Sequence, residues 1–155
     1  MLKTSFNAGW IYHDGGGGAL DALIHGGQDN GKPVTLPHDA SVARPRDSRE
    51  PNGNGFFVEE NCYYTKEFLV DEADKDKNVW LEFEGIYQNA FIYINHSYAG
   101  QCPYGYSNFY IDATKFIRFG EKNLVKAVVK NGVPSGRWYT GGGIYRDVNL
   151  MISDR

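Results

Sequence analysis

Val79-Trp80-Leu81-Glu82-Phe83-Glu84-Gly85-Ile86-Tyr87-Gln88-Asn89-Ala90-Phe91-Ile92-Tyr93-Ile94-Asn95 contains two runs of strict alternation. Val79, Leu81 and Phe83 share one face, against Trp80, Glu82 and Glu84 on the other. Ala90, Ile92 and Ile94 form a second apolar stripe, against Phe91, Tyr93 and Asn95. A side-chain period of two belongs to extended chain with one buried face. Val125, Ala127 and Val129 repeat the pattern, and Val148 to Ile152 reads as a last strand. Asn95-His96-Ser97 has the composition of a tight turn between short strands. Asp112-Ala113-Thr114 followed by Lys115-Phe116-Ile117 suits a capped helical turn that Gly120 closes. Cys62 to Val70 is strand-like, but Lys66 falls on the face of Tyr64 and Phe68, which an edge position would accommodate. Residues 1–60, with the run Gly15 to Gly18 and then Gly26, Gly27, Gly31 and Gly53, read as long irregular loops that carry a surface. Short strands without a helix of more than a turn or two predict an all-β chain folded as a jelly-roll β-sandwich, one domain over 1–155.

Composition agrees with this reading. The chain has 155 residues, with Tyr 11, Phe 9, Trp 3 and Gly 19, enough for one sizeable core. Its formal net charge is −3 and its Lys and Arg are dispersed, which argues against nucleic acid as a partner. No stretch approaches the roughly 20 apolar residues of a membrane helix, and the first residues lack a signal-peptide core. A cytoplasmic location is therefore expected, with Cys62 and Cys102 as free thiols. His13, His25, His38 and His96 show no metal-ligand spacing, so neither metal nor cofactor is expected. Gly26 to Lys32 has the spacing of a phosphate loop, but Pro33 stands where a Ser or Thr is needed. Asn95-His96-Ser97 is also a glycosylation sequon, of little weight without an export signal.

Arg137-Trp138-Tyr139-Thr140-Gly141-Gly142-Gly143-Ile144-Tyr145-Arg146-Asp147-Val148 is the most distinctive block of the chain. It resembles the closing strand of the N-terminal sugar-binding domain of glycoside hydrolase family 2, in its β-galactosidase-like form. Leu36-Pro37-His38-Asp39, Tyr64 to Phe68, Val79 to Asn95 and Gly105-Tyr106-Ser107-Asn108-Phe109 with Asp112 resemble further elements of that domain, in the same order. Within the resemblance, Val79 to Asn95 corresponds to a central hairpin. Val58-Glu59-Glu60-Asn61-Cys62 departs from the family, which approaches the Tyr64 strand through glycines.

The resemblance implies the N-terminal part of a larger retaining β-glycosidase, whose two catalytic glutamates lie on a later (β/α)8 barrel. Glycoside hydrolysis by retention needs two carboxyl groups about 5–5.5 Å apart. Glu82 and Glu84 share a strand face at about 7 Å and read as solvated carboxylates. Glu59 and Glu60 lie in a loop with no evident orienting partner. No catalytic residue is assigned to this chain.

What the resemblance does assign is substrate binding, to Asp39 and Arg137, then His38, Trp138, Tyr139 and Arg46. A carboxylate accepts from sugar hydroxyls, an arginine fork donates to them, and an aromatic face stacks on a pyranose. Each has a plainer reading. Asp39 would cap its own loop, Arg137 would join a surface ion pair, and Trp138 and Tyr139 would pack beneath the loop. Arg146 and Asp147 read as a structural pair or network. The implied partners are a β-linked carbohydrate, the catalytic barrel of the same full-length chain, and further copies in a homo-oligomer. Two other functions fit such a domain: a stand-alone carbohydrate-binding module, and a purely structural docking domain.

Overall fold

A computed structural model describes residues 1–15, 31–132 and 139–154. Ten strands follow in chain order: β1 Leu2–Ser5, β2 Trp10–Asp14, β3 Lys32–Val34, β4 Cys62–Leu69, β5 Asn78–Phe83, β6 Ala90–Ile94, β7 Ser97–Cys102, β8 Phe109–Asp112, β9 Lys122–Val129 and β10 Val148–Ser153. Among the described residues the helical segments are three short 3₁₀ turns. The strands form a four-stranded sheet in the order β1-β10-β5-β8 and a six-stranded sheet in the order β3-β2-β4-β9-β6-β7. Every neighbouring pair is antiparallel. The molecule is the all-β jelly-roll sandwich that the alternation predicts.

The alternating stripes make the core. Val79, Leu81 and Phe83 of β5 face Ile92, Ile94, Val125 and Val129 of the opposite sheet, all fully buried. Trp10 and Tyr64 are also fully buried, and Trp10 Nε1 donates to Phe6 O at 2.8 Å. An indole goes inside at little penalty only when its N–H finds such an acceptor.

Four readings of the sequence need correction. Residues 1–60 are not all irregular, because β1, β2 and β3 lie among them. β5 and β6 are not a hairpin. β5 pairs with β10 and β8, β6 with β9 and β7, and residues 84–89 cross between the sheets. β4 is interior, flanked by β2 and β9. Lys66 is accommodated there because its amine donates to Phe6 O at 2.9 Å and Ala8 O at 2.6 Å, and lies over the Phe6 ring. Burial holds the Lys66 amine below its usual range. Finally, Glu82 is buried rather than solvated: Lys3 pairs with it at 2.5 Å, Tyr110 Oη donates at 2.9 Å and Asn149 Nδ2 at 3.0 Å.

The two ends of the sandwich differ. At one end, Asn95 and His96 make the expected tight turn, both at positive φ. The Asn95 amide is fully engaged there: Nδ2 donates to Phe116 O and Asn123 Oδ1, and Oδ1 accepts from Leu124 N. The helical turn Thr114–Phe116 follows, with Thr114 N donating to Asp112 Oδ1 at 3.0 Å.

The other end gathers the long connections: β3–β4, β5–β6, β7–β8 and β9–β10. Their backbones pair with one another. His38 N donates to Ile144 O at 2.8 Å, Ala40 N to Gly142 O at 2.9 Å, and Tyr87 and Gly143 exchange both backbone bonds at 3.0 and 2.7 Å. Gly143 has φ +90, and a β-carbon there would overlap the Tyr64 hydroxyl. Gly143→Ala combines left-handed strain with overpacking and is expected to destabilise the chain by about 2–5 kcal/mol. Gly53, which has nothing within 4 Å of an added β-carbon, serves as control. Gly53→Ala should stay within about 0.5 kcal/mol of wild type in urea unfolding.

Candidate functional site

On the end where the long loops meet, four side chains make a continuous stack. The Arg46 guanidinium lies 4.7 Å above the Phe57 ring. Phe57 in turn meets Tyr139 with ring centroids 4.5 Å apart. The Tyr139 hydroxyl donates a short bond to Asp39 Oδ2. Phe57 and Tyr139 are half-buried, while Arg46 is exposed. Burial and the neighbouring carboxylate push the Tyr139 phenol well above its ordinary range, so it remains a donor at any working pH.

Asp39 is held from its other oxygen. Ser41 N and Val42 N donate to Oδ1 at 2.9 and 3.3 Å, which fixes the carboxylate against its own loop. A carboxylate offers about four lone-pair sites. Among the described residues, Tyr139, Ser41 and Val42 take three of these. Gly141 backs onto Oδ2, 3.0 Å from where its β-carbon would be.

Buried amides brace both sides of the stack. Asn54 Nδ2 donates to Phe57 O at 2.9 Å and Asn131 Nδ2 to Gly141 O at 3.1 Å. Thr140 Oγ1 reaches Glu59 at 3.3 Å. Beneath the loop, Arg44 binds Asp14 at 2.6 Å, pairs closely with Glu60, and donates to the Tyr12 hydroxyl at 3.2 Å. Glu60 therefore has an orienting partner that sequence spacing did not reveal.

His38 turns away from this stack. Its Nδ1 is 2.8 Å from the Tyr64 hydroxyl and its ring is 4.8 Å from that of Tyr12. Which of the two donates depends on the imidazole tautomer. His38 thus lies one layer below the stack, against Tyr64 and Tyr12.

Of the six residues singled out in the sequence, the structure brings Asp39, Tyr139 and Arg46 together and sets His38 one layer below. Arg137 and Trp138 lie outside the described residues. Asp39 caps its loop, as its plainer reading had it, through Ser41 N and Val42 N. Tyr139 packs on Phe57 and also reaches Asp39. Arg146 and Asp147 do not pair: Arg146 lies over Tyr145, and Asp147 Oδ1 accepts from Asn7. Phe57 was missed, although two adjacent phenylalanines in a glycine-rich loop were a visible signal. Among the described residues no group of three or more His, Cys, Asp or Glu side chains gathers as a metal site.

Residues 42–153 match the family model of glycosyl hydrolases family 2, sugar binding domain, and the chain belongs to that family. It is 38% identical over 152 residues to beta-galactosidase BoGH2A of Bacteroides ovatus, covering 96% of this chain and 18% of that protein. It is 31% identical over 140 residues to a beta-glucuronidase of Bacteroides fragilis, covering 84% of this chain and 19% of the relative. Among solved structures it is similar to a beta-glycosidase from Bacteroides vulgatus, with TM-score 0.88 and 33% identity over 99% of this chain and 20% of that one. The chain therefore spans about a fifth of the length of these relatives.

Burial lowers the His38 pKa below the ordinary 6.5, partly offset by the Asp39 charge. A depressed histidine binds its proton more readily when unfolded, so its stabilising effect is full above the unfolded pKa and lost as pH falls through the folded one. The urea midpoint of wild type is expected to drop between pH 7.5 and 5.5. In His38→Gln that drop should be smaller, and an equal drop in both would rule out His38 as its source.

Proposed function

We propose that this chain is the sugar-recognition domain of a retaining β-glycosidase of β-galactosidase type. In this reading it supplies one wall of the subsite for the terminal sugar and braces a separate catalytic barrel of the same full-length chain. The two carboxyl groups that break the glycosidic bond belong to that barrel. The observation that carries the proposal is the Asp39 carboxylate, fixed by Ser41 and Val42 and bonded to Tyr139 at the end where the long loops meet. Membership of the family and likeness over 96% of the chain to a beta-galactosidase support the substrate class.

The division of labour follows from the chemistry of the cluster. Asp39 accepts a hydroxyl, Tyr139 holds it in place, and Phe57 keeps Tyr139 and Arg46 aligned. Arg137, next to Trp138 in sequence, would donate to neighbouring sugar oxygens. A cluster of this kind is half a subsite, so most of the sugar would face the barrel. Assembly into a homo-oligomer and residence in the cytoplasm complete the proposal. The latter is supported by Cys62 and Cys102, both free, with burial pushing the Cys62 thiol up to about 12.

In the full-length protein, Asp39→Ala and Arg137→Ala should each lower kcat/KM for an aryl β-galactoside at least about tenfold, or about 1.4 kcal/mol. Asp39→Asn keeps the acceptor at Oδ1 that caps the loop, and so separates recognition from folding. It should lose activity with its unfolding temperature intact. Unchanged kinetics in all three variants would overturn the subsite assignment.

A further inference from the structure

Cys102-Pro103-Tyr104-Gly105-Tyr106-Ser107-Asn108-Phe109-Tyr110-Ile111 is a stretch of ten residues without a charge. Between β7 and β8 it turns at the same end of the sandwich as Asp39. The turn displays two tyrosines, Tyr104 at 62% and Tyr106 at 44% exposure. Their rings meet edge to face with centroids 5.8 Å apart, and Tyr106 leans on Tyr87 at 5.3 Å. Tyr87 is itself buried, so the rings form a ladder from the core to the surface.

The tip of this loop is held on several sides. Tyr145 Oη donates to Gly105 O at 2.6 Å, Asn89 N to Pro103 O at 3.3 Å, and Cys102 Sγ to Tyr104 O at 3.4 Å. Gly105 lies against the Tyr87 ring, where a β-carbon would overlap Cδ2. Exposed aromatic rings give up the favourable burial that most of their kind obtain. Rings that are both exposed and braced lose little freedom when a ligand arrives, which favours binding.

The ladder is tied to the Asp39 cluster through the main chain. Tyr87 exchanges its backbone bonds with Gly143, and Gly141, two residues earlier, backs onto Asp39. Tyrosines and carboxylate stand on opposite flanks of one glycine strap.

We propose that Tyr104 and Tyr106 form an accessory shelf for a second pyranose of an oligosaccharide whose terminal unit sits at Asp39. The inference rests on the sugar-recognition reading above. A tyrosine ring matches the C–H face of a pyranose, and its hydroxyl matches the polar rim. Ser107 and Asn108 add hydroxyl and amide groups beside the rings. The stretch holds no Lys or Arg, which disfavours phosphate-rich ligands and anionic membranes.

The test compares substrates of increasing length in the full-length protein. Tyr104→Ala/Tyr106→Ala is assayed on an aryl monoglycoside and on tri- and tetrasaccharides with the same terminal sugar. The expected result is a monoglycoside kcat/KM within about twofold of wild type, with a fall of about five- to twentyfold on the longer substrates, the scale of one or two aromatic contacts. Tyr104→Phe/Tyr106→Phe, which keeps the rings, should recover most of the loss. Equal loss on short and long substrates, or no loss on long ones, overturns the shelf. So does a marked drop in unfolding temperature, which would show the rings buried against a neighbouring domain. The parent reading fails separately, through an Asp39→Ala variant that leaves monoglycoside turnover unchanged.

Discussion

Everything at the functional end depends on the close approach of Gly143 to the Tyr64 hydroxyl. Tyr64 stands on an interior strand with no exposed surface, and its phenol marks the top of the core. Only a residue without a side chain can pass over it, and only glycine takes φ +90 without strain. With the strap seated there, Gly142 and Ile144 offer carbonyls to Ala40 and His38, while Gly143 pairs with Tyr87. Three separate loops thereby share one short piece of backbone. Loops of this length are ordinarily the most mobile parts of a domain. Here their main-chain groups are satisfied much as in a sheet.

Charge is arranged around this frame rather than within it. Arg44 gathers Asp14, Glu60 and Tyr12, raising its own affinity for the proton although burial works against it. Exposed pairs such as Lys122 with Glu67 contribute little. Glu82 is the exception, because it is nearly inaccessible and its oxygens are bound by Lys3, Tyr110 and Asn149. Those partners come from β1, β8 and β10, so this carboxylate ties three strands of the smaller sheet to β5. The Lys3 ammonium is the main reason that the Glu82 carboxyl is held below its usual range. A carboxylate with that many donors is committed to structure.

The core strands were legible because their apolar residues recur at every second position, which one face of a sheet imposes. β1 was not legible: Leu2, Lys3, Thr4 and Ser5 are all exposed at a sheet edge, and nothing in such a strand must be apolar. β2 left a trace in the alternation of Trp10 and Tyr12, masked by the glycines that follow it. The sheet assignment of β5 and β6 was beyond the pattern, since alternation fixes which face is buried and not which neighbour is paired. Lys66 misled for a related reason. Its acceptors are carbonyls of Phe6 and Ala8, some 60 positions away, and a carbonyl has no sequence signature. At the candidate site, the motif resemblance singled out Asp39, Tyr139 and Arg46, which the fold brings together. Phe57, which joins them, acts through ring contacts on both sides that only the folded loop creates.

Site geometry is thus set from below. Asp39 and Tyr139 lie at the surface, yet their separation is determined by where residues 38–40 and 141–144 meet, and that meeting is fixed over Tyr64. Burial keeps the Tyr64 phenol protonated far beyond any working pH. Its bond to His38 is therefore governed by the imidazole alone. Acid that protonates the imidazole makes Nδ1 a donor, so the contact then needs the phenol oxygen as its acceptor. His38 N is itself bonded to the carbonyl of Ile144, which joins this contact to the strap that backs Asp39. A surface cluster built in this way takes its geometry from the core beneath it, and His38 is one of the contacts that hold it there.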